Sequence, residues 1–229
     1  MRNVLYQWVI GDATDCCYSS CLDYFYEKAV ILDVGIGNGV MVKDHHREIK
    51  EKQLKIVGID IDHTYIEHCR ELVDNYDLTG QIQVFETPVE KFQPNGCGSF
   101  DFILFSMSFM LIDDQERVLE RVSEWLKPGG KILFFQTMFK SRNRLIEEIK
   151  PRLKHLTTVE FGEVTYDRDF YDLLGRLDFK VDMDRCIKKT WYNGTYRLIA
   201  ARPNSNGSGS ERLGWNYQDH FSAASCGRK

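Results

Sequence analysis

The run Ala29-Val30-Ile31-Leu32-Asp33-Val34, apolar but for one acid, ends on three glycines at alternate positions, Gly35, Gly37 and Gly39. A run apolar on both faces reads as a strand buried on both sides, which is the signature of a parallel sheet covered by helices. Glycines that close such a strand let the chain turn tightly and bring backbone close to a ligand. The rest of the chain keeps the same rhythm. Leu54–Asp60, Gln81–Phe85, Phe100–Phe105 and Lys131–Gln136 read as further strands. Between them Val40–Gln53, Thr64–Tyr76 and Asp113–Leu126 read as helices, with Ile66, Cys69, Leu72, Val73 and Tyr76 at helical spacing in the second. Lys127-Pro128-Gly129-Gly130 is expected to stop the third helix. Strand–helix alternation requires crossovers and so a doubly wound sheet. After a helix over Asp169–Leu177, strands Phe179–Trp191 and Tyr196–Ala201 flank Asn193-Gly194, a hairpin signal. The expected fold is α/β, a doubly wound, mostly parallel seven-stranded sheet with an antiparallel C-terminal hairpin.

Composition sets the outer limits. The chain has 229 residues, which suits one α/β unit over 29–203, preceded by a cap segment 1–28 and followed by a Gly/Ser-rich tail 204–229 expected to be disordered. A net charge of -4 disfavours a general nucleic-acid binder. The longest uncharged apolar stretch, Phe102–Ile112, is far below the roughly 20 residues that span a bilayer. Seven cysteines, an odd and scattered number without a secretion signal, point to reduced thiols and a cytoplasmic protein. Cys16-Cys17-x3-Cys21 lacks the second pair that a zinc site needs, so no metal is expected.

The glycine spacing separates ligand classes. Dinucleotide sites use G-x-G-x-x-G, whereas here position 40 is Val40. The pattern Asp33-x-Gly35-x-Gly37-Asn38-Gly39 resembles the first motif of class I (Rossmann-like) S-adenosylmethionine-dependent methyltransferases. Asp60 closes the second strand, and a carboxylate there can accept from both hydroxyls of a ribose. The resemblance gives Asp60 that role, while Asp62 suits a helix cap better. The third segment, Glu86-Thr87-Pro88-Val89-Glu90, departs from the family, since Pro88 stands where an adenine-contacting acid is common. Adenine would then lie against Pro88, the Val89 backbone and Ile61, with Glu86 or Glu90 as the polar partner. Phe105-Ser106-Met107-Ser108 resembles the family's segment beside the methyl group, and Lys127–Lys131 its approach to the fifth strand. The resemblance covers residues 29 to 202 and implies S-adenosyl-L-methionine as cofactor.

Displacement at a sulfonium needs chiefly alignment and exclusion of water, so no catalytic constellation is required, and none is evident. His45-His46 reads as solvated surface. Substrate candidates are Tyr6 and Trp8, as a lid or as core, together with Ser108 and Arg142. Arg142 belongs to the basic run Lys140–Lys154, which reads either as a solvated helix face or as a lure for an acidic substrate. The expected activity is methyl transfer to a small molecule. A protein acceptor, an inactive cofactor-binding partner subunit and a nicotinamide dehydrogenase are the alternatives, the last opposed by Val40.

Overall fold

The computed structural model describes residues 16–94, 98–140, 165–190 and 194–204. A first helix, α1, covers 16–24. It is followed by β1 (Val30–Val34), α2 (Val40–Glu51), β2 (Lys55–Asp60), α3 (His63–Asn75), β3 (Ile82–Glu86), β4 (Phe100–Ser106) and α4 (Gln115–Ser123). Then come β5 (Leu126–Phe139), β6 (Thr165–Tyr166), α5 (Asp167–Arg176), β7 (Phe179–Lys189) and β8 (Gly194–Pro203). The sheet runs β3-β2-β1-β4-β5-β8-β7, with β6 added beside β5, so it has eight strands where seven were expected. The extra strand is two residues long and pairs parallel with Met138 and Phe139 beyond the end of β4. Strands β1 to β5 are parallel, and β8 is antiparallel to both β5 and β7.

Alternate residues of the central strands feed two cores. Ile31, Ile56, Phe102, Leu104 and Phe135 pack under α1, α2 and α3. Leu32, Ile59, Ile103, Phe105 and Phe134 pack under α4 and α5. Because β1 has β2 on one side and β4 on the other, strand order reverses between β1 and β4. The crevice at the carboxyl end of that pair is where open α/β sheets bind ligands. No helix among the described residues is long and apolar enough to cross a membrane.

Three local details depart from the sequence reading. Lys127–Gly130 does not separate a helix from a new strand. It bulges within β5, which pairs Leu126 with Phe100 and resumes at Lys131 opposite Phe102. Asp101 anchors that bulge, accepting from Lys127 Nζ and from the Val30 N–H, each at 2.7 Å. Helix α4 is correspondingly shorter at both ends than expected, capped by Asp114, which accepts from the Arg117 N–H at 3.1 Å. In the hairpin, Lys189 pairs with Thr195, and Thr190 and Gly194 exchange hydrogen bonds, so Gly194 is a strand residue rather than the centre of a two-residue turn. A Cβ there would meet Thr137 and Thr190 at 3.0 Å, so glycine serves close strand packing.

Candidate functional site

The glycine turn is built by positive φ. Gly35, Gly37 and Gly39 stand at 82°, 62° and 79°, which only glycine adopts without strain. Each also does a separate steric job. A Cβ on Gly35 would lie 2.5 Å from Ser108 Cβ, and one on Gly39 would press on Cys69 and Leu72. A Cβ on Gly37 would meet nothing within 4 Å, so the space beside its Cα is open to a ligand. The turn is hung from β2, since Gly35 and Ile36 donate to the Ile59 carbonyl and Gly37 donates to Asp60 Oδ2 at 2.9 Å. Asn38 is exposed, with its carbonyl 3.0 Å from His68 Nδ1. Gly39 sits at the N-cap of α2, which has no side-chain cap.

Asp62 caps α3 by accepting from the Tyr65 N–H. Asp60 accepts one backbone N–H on each oxygen, from Gly37 at 2.9 Å and Asp62 at 3.0 Å. A carboxylate oxygen has two lone pairs, so both oxygens keep acceptor capacity toward the crevice.

Asp33 is the unusual group. It is fully buried, and neither carboxyl oxygen has a hydrogen-bond partner among the described residues. Burial, and then the nearby Asp60 carboxylate, push its pKa up to about 8, so the ligand-free protein holds it protonated at neutral pH. Above it lies α1, whose buried Cys17, Tyr18, Cys21 and Leu22, continued by Phe25 just past its end, recur at helical spacing. Cys17 Sγ is 4.0 Å from both Ser106 Oγ and Cys21 Sγ. Burial and then its bond to Cys21 push the Cys17 thiol up, and burial and then Asp33 push the Tyr18 phenol up. The sequence reading gave 1–28 as a cap segment without a helix in it, although the 17-18-21-22-25 spacing carried the signal. The same helix shows why the three cysteines do not converge: Cys16 is exposed while Cys17 and Cys21 face inward.

The remaining candidates spread along the carboxyl edge. Ser106 is buried at the end of β4, and Met107 follows at φ 57°, a left-handed non-glycine of the kind held at functional sites. Ser108 donates to the Val34 carbonyl, fastening this bend to β1. The Phe105 ring is committed to the core, stacked on Phe134 at 5.6 Å, so only its backbone faces the crevice. Val89 likewise buries its side chain, while Pro88 is half-buried and its carbonyl accepts from Lys91 and Phe92. Ile61 is 70% exposed and Phe85 43% exposed, two apolar side chains on the rim. Glu86 is engaged by His63 at 2.7 Å, which raises the imidazole pKa. Tyr24 and Tyr26 pack against Phe102 in the first part of β4, away from the glycine turn. His46 stacks on Tyr76 at 4.0 Å. Tyr6, Trp8 and Arg142 lie outside the described residues, as does the basic run beyond Lys140.

An orphan carboxyl, a second carboxylate with free lone pairs, an open glycine and an apolar rim are complementary to an ammonium, a pair of hydroxyls and a flat base. Residues 31–130 match the family described as Methyltransferase domain. Over these residues the chain is similar to methyltransferase domains. The methyltransferase domain is similar to the carboxy-S-adenosyl-L-methionine synthase of Shewanella halifaxensis, 28% identical over 132 residues, covering 53% of this chain and 50% of that protein. It is also similar to the ubiquinone/menaquinone biosynthesis C-methyltransferase UbiE of Cronobacter sakazakii, 27% identical over 143 residues, covering 59% of this chain and 56% of that one. The chain thus spans about half the length of these curated relatives. Among solved structures, the geranyl diphosphate C-methyltransferase of Streptomyces coelicolor A3(2) superposes with a TM-score of 0.66 at 12% identity, covering 85% of this chain and 79% of that one. At that identity the likeness shows the fold alone.

Proposed function

We propose that this protein is an S-adenosylmethionine-dependent methyltransferase acting on a small molecule in the cytoplasm. The observation that carries the reading is Asp33, a fully buried carboxyl with no partner, one strand position short of the glycine turn. A buried polar group without a partner costs about 1–3 kcal/mol. A cationic amino group supplied by a ligand removes that cost. Asp60 accepts the ribose hydroxyls, Gly37 gives the backbone room, and Ile61 with Pro88 and the Val89 backbone flank the base. Bound S-adenosylmethionine supplies a methyl group on a positively charged sulfur. The chain's own part is to orient donor and acceptor and to exclude water, with α1 as the cover over Asp33 and Ser106. Cys16, Cys17, Cys21 and Cys69 form no disulfide among the described residues, which accords with a reducing compartment. A second reading, chemistry on the donor itself, is favoured by the relative whose name gives a carboxy derivative of the donor as product.

Replacing Asp60 tests the cofactor part. Asp60→Ala is expected to weaken S-adenosylhomocysteine binding about 10- to 100-fold, since charge-assisted hydrogen bonds are each worth about 1.5–3 kcal/mol. Asp60→Asn keeps one acceptor oxygen and should fall between. Equal affinities in all three proteins would remove Asp60 from the site. Methyl-labelled donor incubated with fractionated lysate then separates the acceptors: label in small metabolites supports the reading, and label confined to protein overturns it.

A further inference from the structure

On the face of the sheet covered by α4 and α5, a buried polar cluster stands at the carboxyl end of β5. Gln136 on β5 is fully buried, and neither its amide nitrogen nor its oxygen has a partner among the described residues. Arg197 on β8 is its cross-strand neighbour. Arg197 donates to Asp184 on β7 through both Nε, at 2.8 Å, and Nη2, and to Asp167 Oδ2 at 3.2 Å. Tyr171 donates to Asp184 at 2.5 Å. Asp167, the first residue of α5, is fully buried, and its second oxygen is also without a partner. Three buried polar atoms in one patch thus lack hydrogen bonds, two on Gln136 and one on Asp167.

The cluster lies level with the methyl-donor crevice. Ser106 pairs with Phe135, so Gln136 is one residue further toward the carboxyl edge on the adjacent strand. Among the described residues, charge within the patch is balanced. Arg197 and Lys140 act on Asp167 as cations, and Asp184 acts on it as a second anion. An ionic ligand would therefore meet no unspent counter-charge. The unspent groups are an amide N–H₂, an amide oxygen and one carboxyl oxygen. Their complement is a neutral group that both donates and accepts hydrogen bonds.

We propose that Gln136 and Asp167 bind the methyl acceptor, and that this acceptor is a small molecule presenting a neutral hydroxyl or carboxamide. This rests on the methyltransferase reading above. A ligand O–H or N–H donates to Asp167 Oδ1 or Gln136 Oε1, and the Gln136 N–H₂ donates back to the ligand oxygen. A group kept unpaired for a ligand destabilises the empty protein, whereas one tied into the fold through a trapped water stabilises it.

The test uses Gln136→Leu, which keeps bulk and removes polarity. Small molecules from a lysate are divided by ion exchange at neutral pH into anionic, cationic and neutral pools, and each is incubated with methyl-labelled donor. Label is expected in the neutral pool, falling at least about tenfold in the variant, with S-adenosylhomocysteine affinity unchanged. The ligand-free variant is expected to melt at the same or a higher temperature than the parent. A lower melting temperature assigns Gln136 a structural role and overturns the proposal. So does label in a charged pool, or undiminished label with the variant. Failure of the underlying reading is visible separately, as a parent protein that does not bind S-adenosylhomocysteine.

Discussion

Asp33→Asn is expected to make the ligand-free protein more stable at pH 8 and to cost it the pH dependence of cofactor binding. In the folded protein Asp33 keeps its proton up to about pH 8, whereas in the unfolded chain it loses it near pH 4. Between those values the folded state holds one proton more, so stability contributed by this group is intact below about pH 4 and declines as pH rises toward 8. Asparagine removes the titration. The variant's urea midpoint should therefore change less than the parent's between pH 5 and pH 8, and at pH 8 it should exceed the parent by on the order of 3 kcal/mol. Binding carries the opposite sign. A ligand ammonium beside Asp33 favours the carboxylate, so complex formation releases a proton at neutral pH and affinity rises with pH up to about 8. Calorimetry in two buffers of different ionisation enthalpy counts that proton. The parent should release close to one on binding S-adenosylhomocysteine, and the variant none, with affinity about 10- to 100-fold weaker. A parent that releases no proton would place the ammonium elsewhere.

Gly35→Ala is expected to be strongly damaging for the addition of a single methyl group. At φ 82° an alanine costs about 1–2 kcal/mol in backbone strain alone. Its Cβ would also stand 2.5 Å from Ser108 Cβ, an atom that no side-chain rotation can move. Ser108 is bonded to the Val34 carbonyl, so relief requires the turn and the bend after β4 to part. Overpacking of this kind costs typically about 1–3 kcal/mol, which brings the total loss to roughly 2–5 kcal/mol. S-adenosylhomocysteine affinity should fall at least about 100-fold, because the displaced backbone is the proposed binding surface. Gly37→Ala provides the contrast, since its Cβ meets nothing within 4 Å and only the strain at φ 62° applies. Its melting temperature should drop much less. Equal losses in the two variants would mean that the contact with Ser108 is not what makes Gly35 necessary.

Legibility followed sequence separation. Val30–Val34 with its glycines, Asp60 at the end of β2 and Asp62 at the start of α3 are local patterns, and each sits where its neighbours in sequence imply. Burial on both faces gave the parallel strands, and Asn193-Gly194 gave an antiparallel final pair. The pairing of Lys189 with Thr195, which puts Gly194 in the strand, was not legible, since the approach of Gly194 to Thr137 is a contact with another strand. The bulge at Lys127–Gly130 depends on Asp101 reaching a lysine 26 residues away. Asp33 is visible in the sequence as an acid within an apolar strand. Its isolation is not, since Tyr18 and Cys17 come to it from another element. The Gln136, Asp167 and Arg197 cluster is assembled by strand pairing from three separate segments, so spacing along the chain gives no hint of it.

The central claim is that the Gly35-Gly37-Gly39 turn with Asp33 and Asp60 binds S-adenosylmethionine and not a dinucleotide. Its most direct test is calorimetric titration of the protein with S-adenosylhomocysteine and, separately, with NADH. One site for S-adenosylhomocysteine, lost in Gly35→Ala, with no heat from NADH, is the expected result. Binding of NADH with no response to S-adenosylhomocysteine would contradict the account.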